Sequence, residues 1–400
     1  MLAVLVAAVA AVANRALADE PAGEPRRVTL VEALAAADRL PEMAAARAGE
    51  QGAEAGMRVA GAWGAPEVSF QTNSINAREA VSLSVPLPLT RGPRVAAARA
   101  DLLAASRTRA ETLSAARRAV RVAWFTLAAA EERAKAAAER SERAERNGEA
   151  VEAMFQAGRV ARIDQVRAKA ELALARAERG TFDEARSAAA ARLGLLIGVG
   201  ADARLVTGGP IQPEPEPELA GYVERVRVLA PGVVSQEAQA AAAAARVDLA
   251  RRGRWPTVSL SAGAEWNDPT QEGTNRSAGF GLAIPLGARA AADVAAAERD
   301  REAALLDRER REAADAAQNA WRSARSARLR FEAIESDALP AAREAAELTR
   351  VAYREGRADL FRVLDAERAL SATLAERADS LEAWGLAFAD LRQLGGETDP

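Results

Sequence analysis

The chain has 400 residues and a formal net charge of −3 at neutral pH, and it is 49% hydrophobic although only 4% of its residues are aromatic. It contains no cysteine and no histidine, which excludes thiol chemistry, disulfides, the usual zinc sites and histidine-based acid–base catalysis. The nearly balanced charge gives no indication of a nucleic-acid partner. We expect neither a metal nor another cofactor.

The N-terminus has the pattern of a secretory signal. An apolar run follows Met1, and the small-x-small sequence Ala16-Leu-Ala18 precedes Asp19, which predicts a signal peptide at 1–18. Residues 19–27 predict a flexible leader. A buried N-terminal helix is the alternative interpretation. No later stretch approaches the roughly 20 apolar residues of a membrane-spanning helix, so any membrane insertion of the mature chain is expected through β-strands.

The segment 28–206 predicts a helix, a β-hairpin and a long helical hairpin, in that order. Thr29 and Glu32 have the spacing of a capping box at the start of the first helix. Apolar and polar residues alternate over 66–88, which predicts a β-hairpin that ends at prolines. An alanine- and charge-rich pattern with a heptad-like seam then predicts a helical hairpin over 93–197. Helices of this length do not fit a compact domain, so we expect an elongated molecule.

A proline-rich connector at 207–218 leads into a second segment, 219–396, which repeats the order of the first. It predicts a helix, a β-hairpin over 256–286 and a helical hairpin over 288–394, followed by a short tail at 397–400. The predicted turn of the second β-hairpin is longer than that of the first. Loops that face solvent absorb insertions at little cost, so the longer turn is compatible with a repeat.

Matching motifs indicate that the two segments are copies of one unit. The pattern aromatic-x-x-Gly-Arg occurs as Phe155–Arg159 and again as Tyr353–Arg357, near the midpoint of each helical hairpin. Glycine at these midpoints predicts the tight turn of each hairpin. Trp124 and Trp321 also occupy matching positions, and we expect them to pack between helices rather than to bind a ligand.

Each β-hairpin has one apolar face and one face of small polar residues. A single hairpin is marginally stable in water and four strands cannot close a barrel, so we expect the strands to pair between chains. The apolar residues are then expected to face lipid, as in outer-membrane barrels. These residues are Val68, Phe70, Val81, Leu83, Val85, Val258, Leu260, Phe280, Leu282 and Ile284. A soluble sandwich, or a solvated hairpin on a coiled coil, is the alternative.

The order and duplication of several motifs resemble the outer-membrane efflux protein family, typified by TolC, over nearly the whole mature chain. They are the Val28-Thr-Leu-x-Glu-Ala-Leu34 opening, the prolines Pro66 and Pro256 before each β-hairpin, Val85-Pro-Leu-Pro-Leu89, and Tyr353-x-x-Gly356 with Val363-Leu-Asp-Ala366. There is a slighter resemblance to the heavy-metal (cobalt-zinc-cadmium) efflux branch.

The resemblance implies a mainly α protein with a small β part and a TolC-like fold. Such proteins are homotrimers in the outer membrane of Gram-negative bacteria, where four strands from each chain form one β-barrel. Their long helical hairpins continue as an α-helical barrel across the periplasm. They serve as passive exit ducts for small molecules or metal ions and are not enzymes. A periplasmic adaptor (membrane fusion) protein docks them to an inner-membrane pump of the resistance-nodulation-division or ABC type.

The family pattern also suggests which residues act at the hairpin turns. The turns would be periplasmic tips at which the adaptor docks, which makes Phe155, Gly158, Arg159, Gly356 and Arg357 the docking candidates. Tyr353 and Asp365 match positions that close the tunnel mouth, and threefold symmetry would bring three Asp365 carboxylates together.

The chain departs from the family pattern at two places near the proposed gate. Arg362 replaces a second gate carboxylate, and Ala358 replaces an expected arginine, although Arg357 lies beside it. Arg162 and Asp164 of the first turn are candidates to compensate. For Asp365 a solvated helix charge is the alternative, and for Tyr353 it is packing within the turn.

Two further functions remain open on the sequence alone. One is the exit duct of a type I secretion system, which has the same architecture and a different pump. The other belongs to a different class, a periplasmic coiled-coil scaffold without a pore.

Overall fold

The computed structural model describes residues 25–73, 78–208, 211–266, 273–285 and 288–396. The predicted signal peptide, residues 19–24 of the predicted leader and the tail lie outside these ranges. The described chain is mainly helical with a small β part, as the sequence predicts. Among its helices, none combines the length and the apolar character that crossing a bilayer requires.

Nine α-helices and six strands make up the described chain, with a 3-10 turn at Ala37–Arg39 and a π-helical turn at Ile334–Ala338. The helices are α1 Leu30–Ala35, α2 Pro41–Gly61, α3 Arg91–Gln156, α4 Arg162–Ile197, α5 Leu219–Leu229, α6 Pro231–Arg252, α7 Ala288–Ala333, α8 Leu339–Arg354 and α9 Leu360–Leu394. The strands are β1 Arg26–Val28, β2 Glu67–Asn73, β3 Arg78–Pro86, β4 Leu205–Thr207, β5 Thr257–Trp266 and β6 Asn275–Ala283.

The chain divides into two compact units, and each takes segments from both sequence repeats. One contains both glycine turns and is called the turn unit; it comprises Met1–Ala36, Val120–Glu214 and Ser326–Leu386. The other contains a four-stranded sheet and is called the sheet unit; it comprises Ala37–Ala119, Pro215–Arg325 and Ala387–Pro400.

The start of the first repeat differs from the sequence prediction. Arg26 and Arg27 were expected in a flexible leader, but they belong to β1, which pairs in parallel with β4. The predicted capping box at the start of α1 is present: the Glu32 N–H donates to Thr29 Oγ1 at 3.3 Å, and the Thr29 N–H donates to Glu32 Oε2 at 2.9 Å. Pairing of residues so far apart in sequence leaves no local signal, which explains why the strand was missed.

Two side chains on α3 hold this strand pair. Trp124 is buried, and its indole Nε1 donates to the Val28 carbonyl oxygen at 2.9 Å. Seven residues later, Glu131 accepts the Thr207 backbone N–H at 2.9 Å and also bonds the Thr207 hydroxyl. Burial raises the pKa of Glu131, and the bonds from Thr207 oppose this rise. Residues seven apart lie on one helix face, so α3 contacts both strands with the same face.

An aromatic cluster fills the turn unit beside Trp124. Phe125 meets Trp124 edge to face at a centroid distance of 5.1 Å, and it meets Trp384 in the same way at 5.5 Å. Gly385 on α9 lies so close to this ring that a Cβ atom there would approach Phe125 Cγ to 2.3 Å. The glycine therefore permits the contact between α3 and α9.

The first arm of the second helical hairpin contains an irregular turn, which the prediction of a helical hairpin over 288–394 did not include. Pro340 has no N–H with which to continue the helical ladder, and a π-helical turn at Ile334–Ala338 precedes it. Ile334, Leu339 and Leu370 are buried together at this point. Their packing stabilises the helix on both sides of the irregular turn.

The sheet unit packs its helices through small residues. Alanines predominate among its buried side chains, with a few larger residues such as Met43, Tyr222 and Val226. Alanine permits close helix approach but buries little area, so narrow helix–helix contacts replace a thick core. The Tyr222 hydroxyl donates to the Leu391 carbonyl at 2.8 Å and links α5 to the end of α9.

Candidate functional site

The two predicted β-hairpins join into one antiparallel sheet within the sheet unit. The strand order is β2-β3-β5-β6, so the first repeat contributes one half of the sheet and the second repeat the other half. Val85 pairs with Leu260, and Leu260 pairs with Phe280. Directly paired residues of an antiparallel sheet lie on the same face, so the register assigns every strand residue to one of two faces.

The register places the predicted lipid-facing residues of all four strands on one face. Val68 pairs with Leu83, Phe70 with Val81, and Val258 with Leu282, in addition to the row through Leu260. Ile284 follows β6 directly and continues its alternation. Large apolar side chains on this face are exposed, with 61% of Phe70 and 79% of Phe280 accessible. Such an extended exposed apolar surface marks an interaction face.

The opposite face carries small and polar side chains. Ser69 and Ser82 are paired residues whose hydroxyl oxygens lie 2.8 Å apart, and the Ser261 hydroxyl donates to the Gly279 carbonyl at 3.3 Å. The sheet therefore separates an apolar side from a hydrophilic side. Strands β2 and β6 are its outer strands, and in the described chain each has one neighbour only.

The two glycine turns, both in the turn unit, have the same hydrogen-bond pattern. Gly158 has a φ of 68° and Gly356 a φ of 75°, which is the left-handed conformation that favours glycine. The Gly158 N–H donates to the Phe155 carbonyl and the Arg159 N–H to the Met154 carbonyl, and Gly356 and Arg357 repeat this with Tyr353 and Ala352. Both turns are thus Schellman motifs, which confirms the predicted glycine turns.

Tyr353 joins the two hairpin turns through packing. A buried cluster of Val151, Ala168, Leu360 and Leu364 draws on α3, α4 and α9, and Tyr353 of α8 packs against it. The Tyr353 hydroxyl is buried without a hydrogen-bond partner in the described chain. Burial raises the tyrosine pKa, and the negative charge of Asp164 raises it further. The structure thus brings two of the five gate candidates, Tyr353 and Asp164, near each other.

The other three gate candidates lie on the surface of the turn unit. All three are exposed: Arg162 on α4, and Arg362 and Asp365 on α9. Val363 and Leu364, which lie between Arg362 and Asp365 in the sequence, are buried. The Arg362 backbone N–H donates to Asp359 Oδ1 at 3.0 Å, so Asp359 caps the start of α9. Among the docking candidates, Gly158, Arg159, Gly356 and Arg357 are exposed, and Phe155 is half-buried.

The sequence analysis missed a group of charges around two buried carboxylates, Glu171 and Glu367, that connects three helices of the turn unit. Glu171 on α4 accepts Arg140 of α3 at 2.8 Å and Arg368 of α9 at 2.7 Å. Arg143 of α3 donates to Glu367 of α9 at 2.6 Å. Burial alone would raise the pKa of Glu171, but the bonds and charges of Arg368 and Arg140 outweigh it and hold that pKa below its ordinary value.

A sequence signal for this group exists. Glu367 falls between Val363 and Leu370 on the buried seam of α9, and Glu171 falls between Ala168 and Ala175 on that of α4. A carboxylate at such a seam position must find a charged partner, because burying an unpaired charge is costly. The identity of that partner depends on the other helices. Within the described ranges, histidine, cysteine and carboxylates nowhere form a group of three that could hold a metal ion.

Comparison with known proteins assigns this architecture. The model of the outer membrane efflux protein family (OEP) matches residues 33–199 and 223–397. The chain belongs to this family. The predicted resemblance is therefore confirmed.

Individual known proteins are also similar to this chain. CyaE of Bordetella pertussis strain Tohama I is 32% identical over 224 residues, which are 53% of this chain and 47% of CyaE. The match thus spans about half the length of this curated relative. CusC, known from crystal structures concerned with folding and transmembrane channel formation, superposes with a TM-score of 0.79 at 18% identity over 96% of both chains. VceC from Vibrio cholerae superposes with a TM-score of 0.74 at 18% identity, over 92% of this chain and 96% of VceC.

These superpositions show that the efflux-family chain has the TolC-like fold. Because each covers more than nine tenths of the chain, the similarity includes both the sheet unit and the turn unit. At 18% identity it carries no information on individual side chains, so the gate and docking candidates stay predictions.

Proposed function

We propose that this protein is the outer-membrane exit channel of a tripartite efflux system in a Gram-negative bacterium. Three copies would pair β6 of one chain with β2 of the next and close a barrel in the outer membrane, and the long helices would continue it into the periplasm. Small molecules or metal ions would pass without chemistry on this chain. An inner-membrane pump of the resistance-nodulation-division or ABC type drives the export, and a periplasmic adaptor joins pump and channel.

The observation that carries this proposal is the sheet, with its single apolar face and its two outer strands. Strand β5 has 10 residues and β3 and β6 have 9 each, which matches the 9–11 residues of a tilted strand that crosses a bilayer. Exposed Phe280, Leu282 and Leu260 on that face would be costly in water. Pairing between copies would satisfy the backbone N–H and C=O groups of both outer strands, and the apolar face of the closed barrel would contact lipid.

We further propose that the glycine turns are the adaptor-docking tips. Both turns have the same hydrogen-bond geometry, so the two hairpins of each chain would present similar surfaces to the adaptor. Next to the turns, Asp365 would form the charged constriction, and Tyr353 with Asp164 would hold the two hairpins together in the closed state. Arg162 and Arg362, both exposed, would then be free to pair with neighbouring chains in the trimer.

The composition bears on how the cargo is selected. The chain has neither histidine nor cysteine and only four methionines, so we do not expect it to select a soft metal by ligation. If the cargo is a metal ion, as the slight resemblance to the heavy-metal branch suggests, the pump selects it. The type I secretion duct and the pore-free scaffold remain alternatives, and no observation on the structure favours either of them.

A pair of neighbouring substitutions on β5 tests the channel. Leu260→Arg places a charge on the apolar face, and Ser261→Arg places the same charge on the polar face one residue away. An arginine that faces lipid destabilises an outer-membrane barrel by about 2–4 kcal/mol at mid-membrane depth. We expect wild type and Ser261→Arg to give heat-modifiable trimers in the outer-membrane fraction and ion conductance in planar bilayers, and Leu260→Arg to give few trimers.

Two results would contradict the proposal that this protein is a channel. A wild-type protein that is monomeric in water without detergent and does not conduct would favour the scaffold. Equal assembly of the two variants would show that the apolar face does not meet lipid. Which pump and which adaptor the neighbouring genes encode would separate efflux from type I secretion.

A further inference from the structure

All four strands of the sheet meet helices at the same end. Helix α2 leads into β2 and α6 leads into β5, while β3 continues into α3 and β6 into α7. Because the strands are antiparallel, the starts of β2 and β5 lie beside the ends of β3 and β6. We call this the helix end of the sheet. The ends of β2 and β5 and the starts of β3 and β6 lie at the opposite end.

Three of the four connecting segments at the helix end are basic. Residues 87–94, 251–256 and 284–290 contain arginine but no lysine, aspartate or glutamate, whereas residues 61–66 carry no charge and are followed by Glu67. The arginines are Arg91, Arg94, Arg251, Arg252, Arg254 and Arg289. A chain with a net charge of −3 thus concentrates positive charge at this one level.

Several of these arginines are fixed in place. Arg91 Nε donates to the Gly61 carbonyl at 2.9 Å, and Arg94 Nη2 donates to the Ala62 carbonyl at 3.3 Å. Both arginine side chains therefore cap the C-terminal end of α2. Arg251 lies 3.7 Å from Asp248, one turn back on α6. Arg252, Arg254 and Arg289 are exposed. The segment before β5 therefore exposes Arg252 and Arg254, together with Arg251 and its ion-pair partner Asp248.

Two exposed tryptophans lie at the same level. Trp63 precedes β2 and is 65% exposed, and Trp255 precedes β5 and is 54% exposed. The Arg252 guanidinium stacks on Trp255, with its carbon 4.9 Å from the ring centroid. An indole has an apolar body and one N–H donor, so it is most stable where hydrocarbon meets headgroups and water. Trp63 and Trp255 with the six arginines are called the arginine–tryptophan belt.

The height of the apolar face agrees with a bilayer. Trp266 lies at the other end of β5, where its Nε1 donates to Glu79 Oε2 at 2.5 Å. The nine residue steps of β5 from Thr257 to Trp266 correspond to about 30 Å at roughly 3.3 Å per residue. At a strand tilt of about 40° this is about 23 Å along the membrane normal, close to the roughly 25 Å apolar band of outer-membrane barrels, and Trp255 lies two residues before the strand. Both aromatic levels then coincide with the two interfaces.

We infer that the arginine–tryptophan belt binds the phosphate groups of anionic phospholipids at the membrane surface on the helix end of the sheet. The tryptophans insert between headgroups and acyl chains, and the arginines form charge-assisted hydrogen bonds to the phosphates. Trp63 lies four residues before β2 and Trp255 two residues before β5, the strands whose apolar face is proposed to meet lipid, so lipid headgroups rather than a protein partner are the occupant expected at this level. This inference rests on the proposed function, because it needs the sheet to lie in a bilayer.

Quenching by brominated lipid tests the position of the tryptophans. The trimer is reconstituted in phosphatidylcholine vesicles whose acyl chains carry bromine close to the headgroup, with unbrominated vesicles as the reference. We expect wild-type fluorescence to be quenched and the Trp63→Phe/Trp255→Phe double variant to lose most of that quenching. A double variant that is quenched like wild type would show that these indoles lie away from lipid, for example at an interface between chains, and would overturn the inference.

Lipid titration tests the arginines. Binding of dioleoylphosphatidylglycerol to the detergent-solubilised trimer is compared with that of dioleoylphosphatidylcholine. The variant Arg251→Gln/Arg252→Gln/Arg254→Gln is matched by Arg301→Gln/Arg308→Gln/Arg311→Gln, which removes the same charge from exposed positions of α7. At about fivefold per arginine, the first variant should bind the anionic lipid on the order of a hundredfold more weakly, and the matched variant should bind like wild type.

The outcomes separate this inference from the proposed function. If the wild-type trimer conducts in planar bilayers but both triple variants bind the anionic lipid equally, the lipid-binding inference is wrong and the channel proposal is supported. If the wild-type protein neither inserts into bilayers nor conducts, the channel proposal is wrong, and the lipid-binding inference that rests on it is wrong as well. Selective loss in the first triple variant, together with conducting wild-type trimers, supports both.

Discussion

Trp124 and Trp321 make the same hydrogen bond in the two repeats. The Trp124 indole donates to the Val28 carbonyl at 2.9 Å, and the Trp321 indole donates to the Pro217 carbonyl at 2.7 Å. Val28 and Pro217 each lie two residues before the first helix of their repeat, which begins at Leu30 or at Leu219. Each duplicated tryptophan thus fixes the start of its own repeat, a more specific role than the helix packing that the sequence predicts.

The two contacts differ in burial, and this gives a first prediction. Trp124 is 4% exposed, whereas the bond of Trp321 lies at the surface. Trp124→Phe removes a buried donor and part of a buried ring, although the Val28 carbonyl keeps the Gly208 N–H at 3.2 Å. We expect it to lower the free energy of unfolding by about 2 kcal/mol, and Trp321→Phe to lower it by less than about 1 kcal/mol. Denaturant unfolding of the two variants in detergent checks this, and equal losses would contradict it.

A second prediction concerns the contact of Gly385 with Phe125. In Gly385→Ala the new methyl group would meet the Phe125 ring, which Trp124 and Trp384 hold from its sides. Overpacking of this kind typically costs about 1–3 kcal/mol. We therefore expect a lower unfolding temperature, and the additional change Phe125→Leu should restore part of it. Gly180→Ala is the matched control, because a Cβ there meets nothing within 4 Å; the argument fails if both single variants behave alike.

A third prediction is the pH dependence that Glu171 confers. Its pKa in the folded protein lies below the ordinary 4.5, because bonds from Arg368 and Arg140 outweigh its burial. A lowered carboxyl pKa stabilises the folded state above about 4.5, and that contribution is lost as the pH falls through the folded pKa. Glu171→Gln should therefore cost about 2 kcal/mol at neutral pH and progressively less below pH 4.5.

Thermal unfolding of wild type and Glu171→Gln between neutral pH and about pH 3 measures this effect. Glu184→Gln, an exposed carboxylate on the same helix, provides the control for removal of a charge. A difference between wild type and Glu171→Gln that stays constant over the whole range would show that Glu171 does not act through its charge.

A fourth prediction tests Asp365 as the charged constriction of the proposed channel. Three carboxylates that face one axis attract cations and obstruct the pore, so Asp365→Ala should raise the single-channel conductance in planar bilayers and weaken block by divalent cations. Asp359→Asn, which keeps an N-cap side chain at the same turn, should leave both unchanged. Unchanged conductance and block in Asp365→Ala would remove this residue from the gate.

The sequence by itself determined the duplication, the helical hairpins with their glycine turns, the β-hairpins and the sidedness of each strand. These features follow from local periodicity: glycine is needed where φ is positive, as at Gly158 and Gly356, and alternation assigns Leu260 and Ser261 to opposite faces. Each can be read without knowing which distant segment packs against it.

Only the tertiary structure decided which distant residues meet. The pairing of β1 with β4, the choice of Arg140 and Arg368 as partners of Glu171, and the close approach of Gly385 to Phe125 join residues far apart in the chain. The repeated, alanine-rich helices offer many similar surfaces, so local pattern does not specify the partner of any one side chain. Packing of the folded helices selects among these surfaces, because each buried charge, ring and backbone group must be satisfied at the same time.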